Sequence, residues 1–272
     1  MTEPDPALRA LIENRSGPLR ALTATAHGHG SDLTALAEGE GGTVFVKAMR
    51  NRAGGRRASL LREIALAPYL PPLAPPLEWA ETGETGGQHG WVVGAWTAVE
   101  GRPADLRPGS TDLDRVVGVV RRVGDLPVPD GAAEWAESRW DRFAPPTDVT
   151  AFRGQALLYT DWHPANLILG TDSTWLVDWS WPTVGAAYIS PALLVVELVA
   201  AGHAPAEAEG VVAGCPSWYE APPMALDAFA DAHARMCRAA AGRRPGEAWL
   251  AAVARAAADW AAHRAGIPLP LS

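Results

Sequence analysis

Between Tyr159 and Leu169 the chain reads YTDWHPANLIL. Asp161, His163 and Asn166 fall within six positions, directly before an apolar run. The run reads as a strand and the polar cluster as a loop at its mouth, where chemistry is often done. Asp161 can accept a proton from a hydroxyl, and the Asn166 amide oxygen suits a hard cation such as magnesium. Seventeen positions after Asp161, the apolar run in TWLVDWSWP ends on Asp178, a second oxygen donor for such a cation. Lys47 lies near the end of the apolar stretch TVFVKAM, and Glu63 lies on the helical stretch that follows. A strand lysine paired with a glutamate on the next helix holds its ammonium toward a polyphosphate. Taken singly, each residue has an ordinary reading: a lysine reaching for water, a solvated helix glutamate, turn residues bonding their own backbone. Taken together, the order Lys, Glu, Asp-x-x-x-x-Asn, Asp matches the parts that move a phosphoryl group from a nucleotide.

The surrounding elements must position these groups. LRALTATA, LTALAE and TVFVKAM read as strands, with HGHGSD as a polar turn and GEGG as a tight hairpin turn. RRASLLREIALAPYL has Leu60, Leu61, Ile64 and Leu66 near helical spacing and stops before Pro71-Pro72. LEWAET and GWVVGAW are two further strands. TAVEGRPADLRPGS is rich in Gly, Pro and polar residues and reads as a linker. TDLDRVVGVVRRV and AAEWAESRWDRF read as helices, and ALLYT, LILG and TWLVDW as short strands. From Pro191 the pattern is helical, with breaks at Gly214-Cys215-Pro216 and Ala221-Pro222-Pro223.

VFVKAM, LLREIALAPYL, YTDWHPANLIL and LVDWSWP together resemble the aminoglycoside phosphotransferase-like kinases, a branch of the protein-kinase-like fold. The family's catalytic loop usually reads His-Gly-Asp-x-His-x-x-Asn; this chain has Tyr159-Thr160-Asp161-Trp162-His163-Pro164-Ala165-Asn166. The resemblance spans roughly residues 20 to 200. It implies an α+β, bilobal protein-kinase-like fold, with a small antiparallel-sheet N-lobe holding one helix and a larger, mainly helical C-lobe. The corresponding division is a nucleotide-binding lobe over 1–96, a linker over 97–110, and a helical lobe over 111–272. It implies Asp161 as catalytic base, Asn166 and Asp178 as Mg2+ ligands, and Lys47 on the α- and β-phosphates of ATP or GTP, pinned by Glu63. His163 would organise the loop. His27 to Asp32 would cover the phosphates, with Ser31 and backbone amides as contacts. Adenine would lie against GWVVGAW, with Val93, Ala95 and Trp96 at the connection between lobes. Two departures stand out: Tyr159-Thr160 replaces His-Gly, and Ser190 takes the place of an Asp that braces the loop in relatives. They motivate the alternative of a pseudokinase-like module that binds a nucleotide or small ligand without turnover.

The expected reaction is a Mg2+-dependent transfer of the γ-phosphoryl of ATP or GTP to a hydroxyl of a small molecule. The acceptor would be an aminoglycoside-like antibiotic, an amino alcohol or a sugar. Glu197, Glu220, Asp227 and Asp231 are acidic candidates for an amine-bearing acceptor, and Trp162, Trp179 and Trp181 for stacking on a ring. The 272 residues suffice for two lobes, and the net charge of −8 argues against a nucleic-acid partner. The only cysteines, Cys215 and Cys237, make neither a zinc site nor a disulfide scaffold. His27 and His29 lack visible partner ligands for a metal. No stretch approaches the ~18 apolar residues of a membrane span, and MTEPDPALRA does not read as a signal peptide. A cytoplasmic monomer or homodimer is expected.

Overall fold

The computed structural model describes residues 5–25, 31–83 and 90–266. The chain up to Gly101, together with Trp175–Trp181, forms one compact unit; Arg102–Thr174 and the chain from Pro182 form another.

The first unit runs α1 (Pro6–Ser16), β1 (Leu19–Ala24), β2 (Leu33–Gly39), β3 (Gly42–Arg50), α2 (Gly55–Leu66), β4 (Leu77–Glu81) and β5 (Trp91–Thr97). Its strands form one antiparallel sheet in the order β1-β2-β3-β5-β4. Helix α1, which the sequence reading leaves unassigned, starts at Asp5. The Asp5 carboxylate accepts from the Ala7 N–H at 2.9 Å, and Pro6 takes the first helical position, where its missing N–H costs nothing.

Side chains alternate along a strand, so each face of the sheet collects every second residue. Val46 and Ala48 of β3 and Trp91, Val93 and Ala95 of β5 pack with Leu8, Leu11 and Ile12 of α1. Met49, Val92 and Trp96 pack with Leu60 and Ile64 of α2 on the other face. The central strands are covered on both faces, so β3 and β5 read as continuous apolar runs rather than alternating ones. Each fully buried Leu or Ile here contributes roughly 1.5–3 kcal/mol. Lys47 belongs to the α2 face, opposite Gly94 on β5. A side chain at position 94 would collide with the Trp96 ring, and that ring lies 5.8 Å from the Lys47 Nζ.

The second unit opens with β6 (Arg102–Pro103) and α3 (Leu113–Gly124), whose Val116, Val119, Val120 and Val123 form one buried stripe. β7 (Ala156–Leu158), β8 (Leu167–Leu169) and β10 (Thr183–Gly185) are short, with β7 antiparallel to β10 and β8 to β6; β9 (Thr174–Leu176) starts here at Thr174, and its other two residues belong to the first unit. Five helices follow: α4 (Ile189–Ala200), α5 (Pro205–Val212), α6 (Pro216–Tyr219), α7 (Pro223–Arg243) and α8 (Ala248–Arg264). Every residue of α4 from Ile189 to Val196 is buried, so this helix is apolar all round and central. Phe229 of α7 and Trp260 of α8, both fully buried, bring their rings within 6.4 Å.

The helix expected over AAEWAESRWDRF does not form. Short 3-10 turns cover Asp130–Ala132 and Asp141–Phe143, and between them lie further turns and an isolated bridge from Ala136 to Val184. Glu137 N–H donates to Val184 O at 2.8 Å, and Val184 N–H donates to Trp135 O at 2.7 Å. This pairing outweighs the local helix preference, as tertiary contacts commonly do. No described helix is long and apolar enough to cross a membrane.

Candidate active site

Lys47 is 6% exposed, in the interior of β3, and Glu63 is 6% exposed on α2. The Lys47 Nζ donates to both Glu63 oxygens, at 2.7 and 3.0 Å, and to Asp178 Oδ1 at 2.8 Å. Burial works against the lysine charge, but the two carboxylates outweigh burial and lift its pKa above the ordinary value. The ammonium is therefore fixed in its charged form. Burial also pushes Asp178 upward, yet Lys47 and the Ser180 hydroxyl prevail and hold its carboxyl below the usual range. One ammonium against two carboxylates leaves this cluster with a net negative charge, which suits a cation.

Asp178 is brought there by Trp175–Trp181, which packs with the first unit. Leu176 N–H donates to Leu73 O at 2.9 Å, Trp179 N–H to Glu63 Oε1 at 3.2 Å, and Trp181 N–H to Ser59 Oγ at 2.9 Å. Asp178 and Trp181 have φ values of 57° and 58°, in the left-handed region that non-glycine residues rarely adopt. Such conformations cluster at functional sites and persist only where neighbours enforce them.

In the second unit, the loop after β7 carries Asp161, His163 and Asn166. Tyr159 and Thr160, expected in the strand, lie beyond its end. His163 is exposed and its Nδ1 accepts from Ala165 N–H at 3.2 Å, capping the turn Pro164–Asn166. The Asn166 Nδ2 donates to Asp161 O at 3.1 Å, which tethers the loop across its own mouth. The amide nitrogen is thus occupied and the amide oxygen remains for a cation. Asp161 is exposed. The Asp178 carboxylate in the first unit and the Asn166 amide in the second each present an oxygen of the hard type that magnesium prefers. Among the described residues no group of three His, Cys, Asp or Glu side chains could hold a metal ion unaided.

Both departures from the family loop have partners. Ser190 Oγ accepts from Tyr159 N–H at 3.2 Å. Arg139 donates to Thr160 Oγ1 at 2.7 Å, to Thr183 Oγ1 at 2.9 Å, and to both oxygens of the fully buried Glu137. Burial pushes Glu137 up, but Arg139 and Thr183 outweigh it and keep the carboxyl below its usual range. Sequence reading misses Glu137 and Arg139, since it places both on a helix.

Three expectations need correction. Val93 and Ala95 point to the α1 face, away from Lys47, so their side chains pack in the core. Their backbones pair with β3 on one side and β4 on the other, and β5 continues to Thr97. The connection to the second unit therefore lies after Thr97 rather than over Val93–Trp96. Of the three residues, only Trp96 shares the Lys47 face. Of the four acidic candidates, Asp227 pairs with Arg264 and Asp231 with Arg235, each at 2.6 Å, and Glu220 is exposed. Glu197 alone stands near the loop. Of the tryptophans, Trp179 is core, with its Nε1 donating to Leu176 O at 3.0 Å, and Trp181 stacks under the Arg62 guanidinium at 4.8 Å. Ser31 is partly buried next to Asp32, whose N–H donates to Ala48 O at 3.1 Å; His27 to Gly30 lie outside the described residues.

No protein-family model matches the sequence, and no curated protein matches it. Solved structures do. The choline kinase LicA of Streptococcus pneumoniae is similar over 94% of this chain and 98% of its own, with a TM-score of 0.62 at 12% identity. The AMP-bound spectinomycin phosphotransferase APH(9)-Ia matches over 92% and 96%, with a TM-score of 0.61 at 11% identity. Amicoumacin kinase hAmiN, solved with AMP-PNP, Ca2+ and Ami, matches over 93% of each chain, with a TM-score of 0.58 at 13% identity. The chain has the fold of these small-molecule kinases, with its antiparallel sheet in the N-terminal part and its helices in the C-terminal part.

Proposed function

We propose that this protein is a phosphotransferase that moves the γ-phosphoryl of ATP or GTP to a hydroxyl of a small molecule. The observation that carries this reading is the buried Lys47–Glu63 pair joined by Asp178, residues 131 positions apart in sequence, within a fold shared with small-molecule kinases. A lysine kept charged by two carboxylates is built to face phosphate oxygens. Nothing in a purely structural role requires a strained Asp178 as its third member.

The residues then divide the work. Lys47 holds the α- and β-phosphates and Glu63 fixes its position. Trp96, on the same face of the sheet, packs beside the Lys47 ammonium and helps to hold it. Asn166 and Asp178 supply the oxygen donors for Mg2+, which when bound would offset phosphate charge. Asp161 accepts the proton of the acceptor hydroxyl as its oxygen bonds to the γ-phosphorus. The bond from that phosphorus to the β,γ-bridging oxygen breaks, and its electron pair leaves with the nucleoside diphosphate. The protein adds little covalent chemistry; orientation and charge do the rest.

The test is nucleoside diphosphate release with Mg2+, ATP or GTP and a panel of hydroxylated amines, sugars and antibiotics. Asp161→Asn should lower turnover by 10²-fold or more and leave nucleotide affinity near wild type. Equal turnover by Asp161→Asn would remove Asp161 from the chemistry. No turnover with any acceptor, alongside intact nucleotide binding, would favour the binding-module reading.

A further inference from the structure

Beside the catalytic loop the second unit encloses a cavity of about 210 Å³, lined by Thr160 and Trp162 of the loop, Glu197 of α4, His233 and Cys237 of α7, and Trp249 of α8. Asp161 sits between two of the lining residues. Three features of this cavity call for a ligand.

The first is a carboxylate with nothing to balance it. The Glu197 carboxylate makes no hydrogen bond or ion pair to any described residue, and no Lys or Arg lines the cavity. Burial, and after it the negative charge of Asp161, push the Glu197 pKa up to about 7. None of the polar groups that line the cavity brings a positive charge; the Arg139 guanidinium, bonded to the lining Thr160, is already paired with Glu137. Trp140 Nε1–H donates to His233 Nδ1 at 3.1 Å, which leaves the proton on Nε2, 3.3 Å from Cys237 Sγ. The imidazole is thus committed on both sides and neutral, its pKa held down to about 4 by burial and by Arg139. The Cys237 thiol is pushed up to about 12 by burial and by Glu197.

The second feature is an orphaned donor. Trp162 is 1% exposed, and its Nε1–H has no hydrogen-bond partner among the described residues. A buried N–H left without an acceptor carries its full desolvation cost. The third is size. Drug-sized ligands fill roughly 300–1,000 Å³, so this cavity takes a far smaller molecule. A second hollow of about 560 Å³, around Tyr188 and Met224, is larger but holds none of the loop residues.

We infer, resting on the kinase reading, that this cavity seats the acceptor, and that the acceptor is a compact amino alcohol whose ammonium pairs with Glu197 while an oxygen of the same molecule takes the Trp162 Nε1–H. A cation there neutralises Glu197 and offsets its repulsion with Asp161. Trp249 lines the same cavity, with its ring 5.7 Å from the Arg244 guanidinium. Glu197 is then the specificity-determining residue, and multi-ring antibiotics and uncharged sugars are excluded by size and by charge.

The probes are 2-(dimethylamino)ethanol, its uncharged isostere 3-methylbutan-1-ol, and kanamycin, each with Mg2+ and ATP or GTP, read as nucleoside diphosphate release. The amine should exceed its isostere in kcat/KM at least tenfold, and kanamycin by more. Glu197→Gln should raise the KM for the amine at least tenfold, leaving the KM for the nucleotide unchanged. Trp162→Phe, which keeps the ring and deletes the donor, should raise the same KM several-fold. Equal use of amine and isostere, preference for kanamycin, or an unchanged KM in Glu197→Gln overturns the inference. Nucleotide-induced thermal stabilisation, measured on the same preparations, separates the two levels. If the nucleotide stabilises but the amine is no substrate, the inference falls and the kinase reading stands; if the nucleotide does not stabilise, both fall.

Discussion

The hydroxyl of Ser190 accepts a hydrogen bond from the backbone N–H of Tyr159 at 3.2 Å, both residues being buried. The resemblance of the sequence to the aminoglycoside phosphotransferase-like kinases leads one to expect an Asp at position 190. Here a neutral hydroxyl on the first turn of α4 meets the loop, while Arg139 holds Thr160 from the other side. The loop therefore keeps two braces although neither is the expected one.

Ser190→Ala removes the first brace. The cost should be about 1–3 kcal/mol, the range for a buried donor that loses its acceptor, seen as a lower unfolding midpoint in urea. Turnover should fall with nucleotide affinity unchanged, because Lys47 and Asp178 are untouched. Ser190→Thr, which retains the hydroxyl, should restore both. An unchanged midpoint in Ser190→Ala would mean that the bond is not a brace.

Lys47→Met tests the buried cluster. It leaves Glu63 and Asp178 as two carboxylates without their cation, which should destabilise by roughly 3–5 kcal/mol. The sign of the pH dependence follows from the carboxylates. Without Lys47 both folded pKa values move up, that of Glu63 further above its ordinary value and that of Asp178 from below it, so the folded state holds more protons than the unfolded one. Stability then falls as pH rises above the ordinary carboxylate range and recovers on acidification. Thermal melts at pH 5 and pH 8 should show the variant closer to wild type at pH 5. The opposite order would contradict the charge assignment.

His233 gives a second pH signature. Its folded pKa lies near 4 against an ordinary 6.5, so between those values the unfolded chain binds a proton that the folded one does not. Stability therefore rises with pH across that window and is lost on acidification, by up to roughly 3 kcal/mol. Glu197, with its pKa raised to about 7, acts in the opposite direction over a similar range. The comparison is best made in a Glu197→Gln background. There, adding His233→Gln should flatten the decline in melting temperature between pH 6.5 and pH 4.5. A decline of unchanged slope would show that His233 is not the group that titrates.

Much of this organisation is legible in the sequence, for identifiable reasons. β3 and α2 show because Val44–Met49 and Leu60–Leu66 carry strong apolar patterns, and the loop from Asp161 to Asn166 because its polar residues are clustered within a few positions. Helix α1 is harder to see: five of the eleven residues of PALRALIENRS are polar, and it buries only Leu8, Leu11 and Ile12. The stretch from Ala133 to Phe143 misleads because its conformation is set by Val184, Thr160 and Thr183, which are distant in sequence. The Val93 and Ala95 contacts misplace the base because residue type does not reveal which face a doubly covered strand turns to α1. Glu197 can be named as an acid from sequence, but only the packing of α4, α7 and α8 separates it from Asp227 and Asp231, which have arginine partners.

The central claim is that Lys47, Glu63, Asp178 and Asn166 serve a nucleotide–magnesium pair. The most direct measurement is the thermal unfolding midpoint with ATP or GTP, with and without Mg2+, for wild type and Asp178→Ala. At ~100 times its dissociation constant a ligand adds about 2.7 kcal/mol of stability. The wild type should melt higher with a nucleotide and Mg2+ together than with the nucleotide alone, and Asp178→Ala should lose most of that magnesium-dependent increment. A wild-type midpoint indifferent to both nucleotides, or an Asp178→Ala variant stabilised as fully as wild type, would contradict the account.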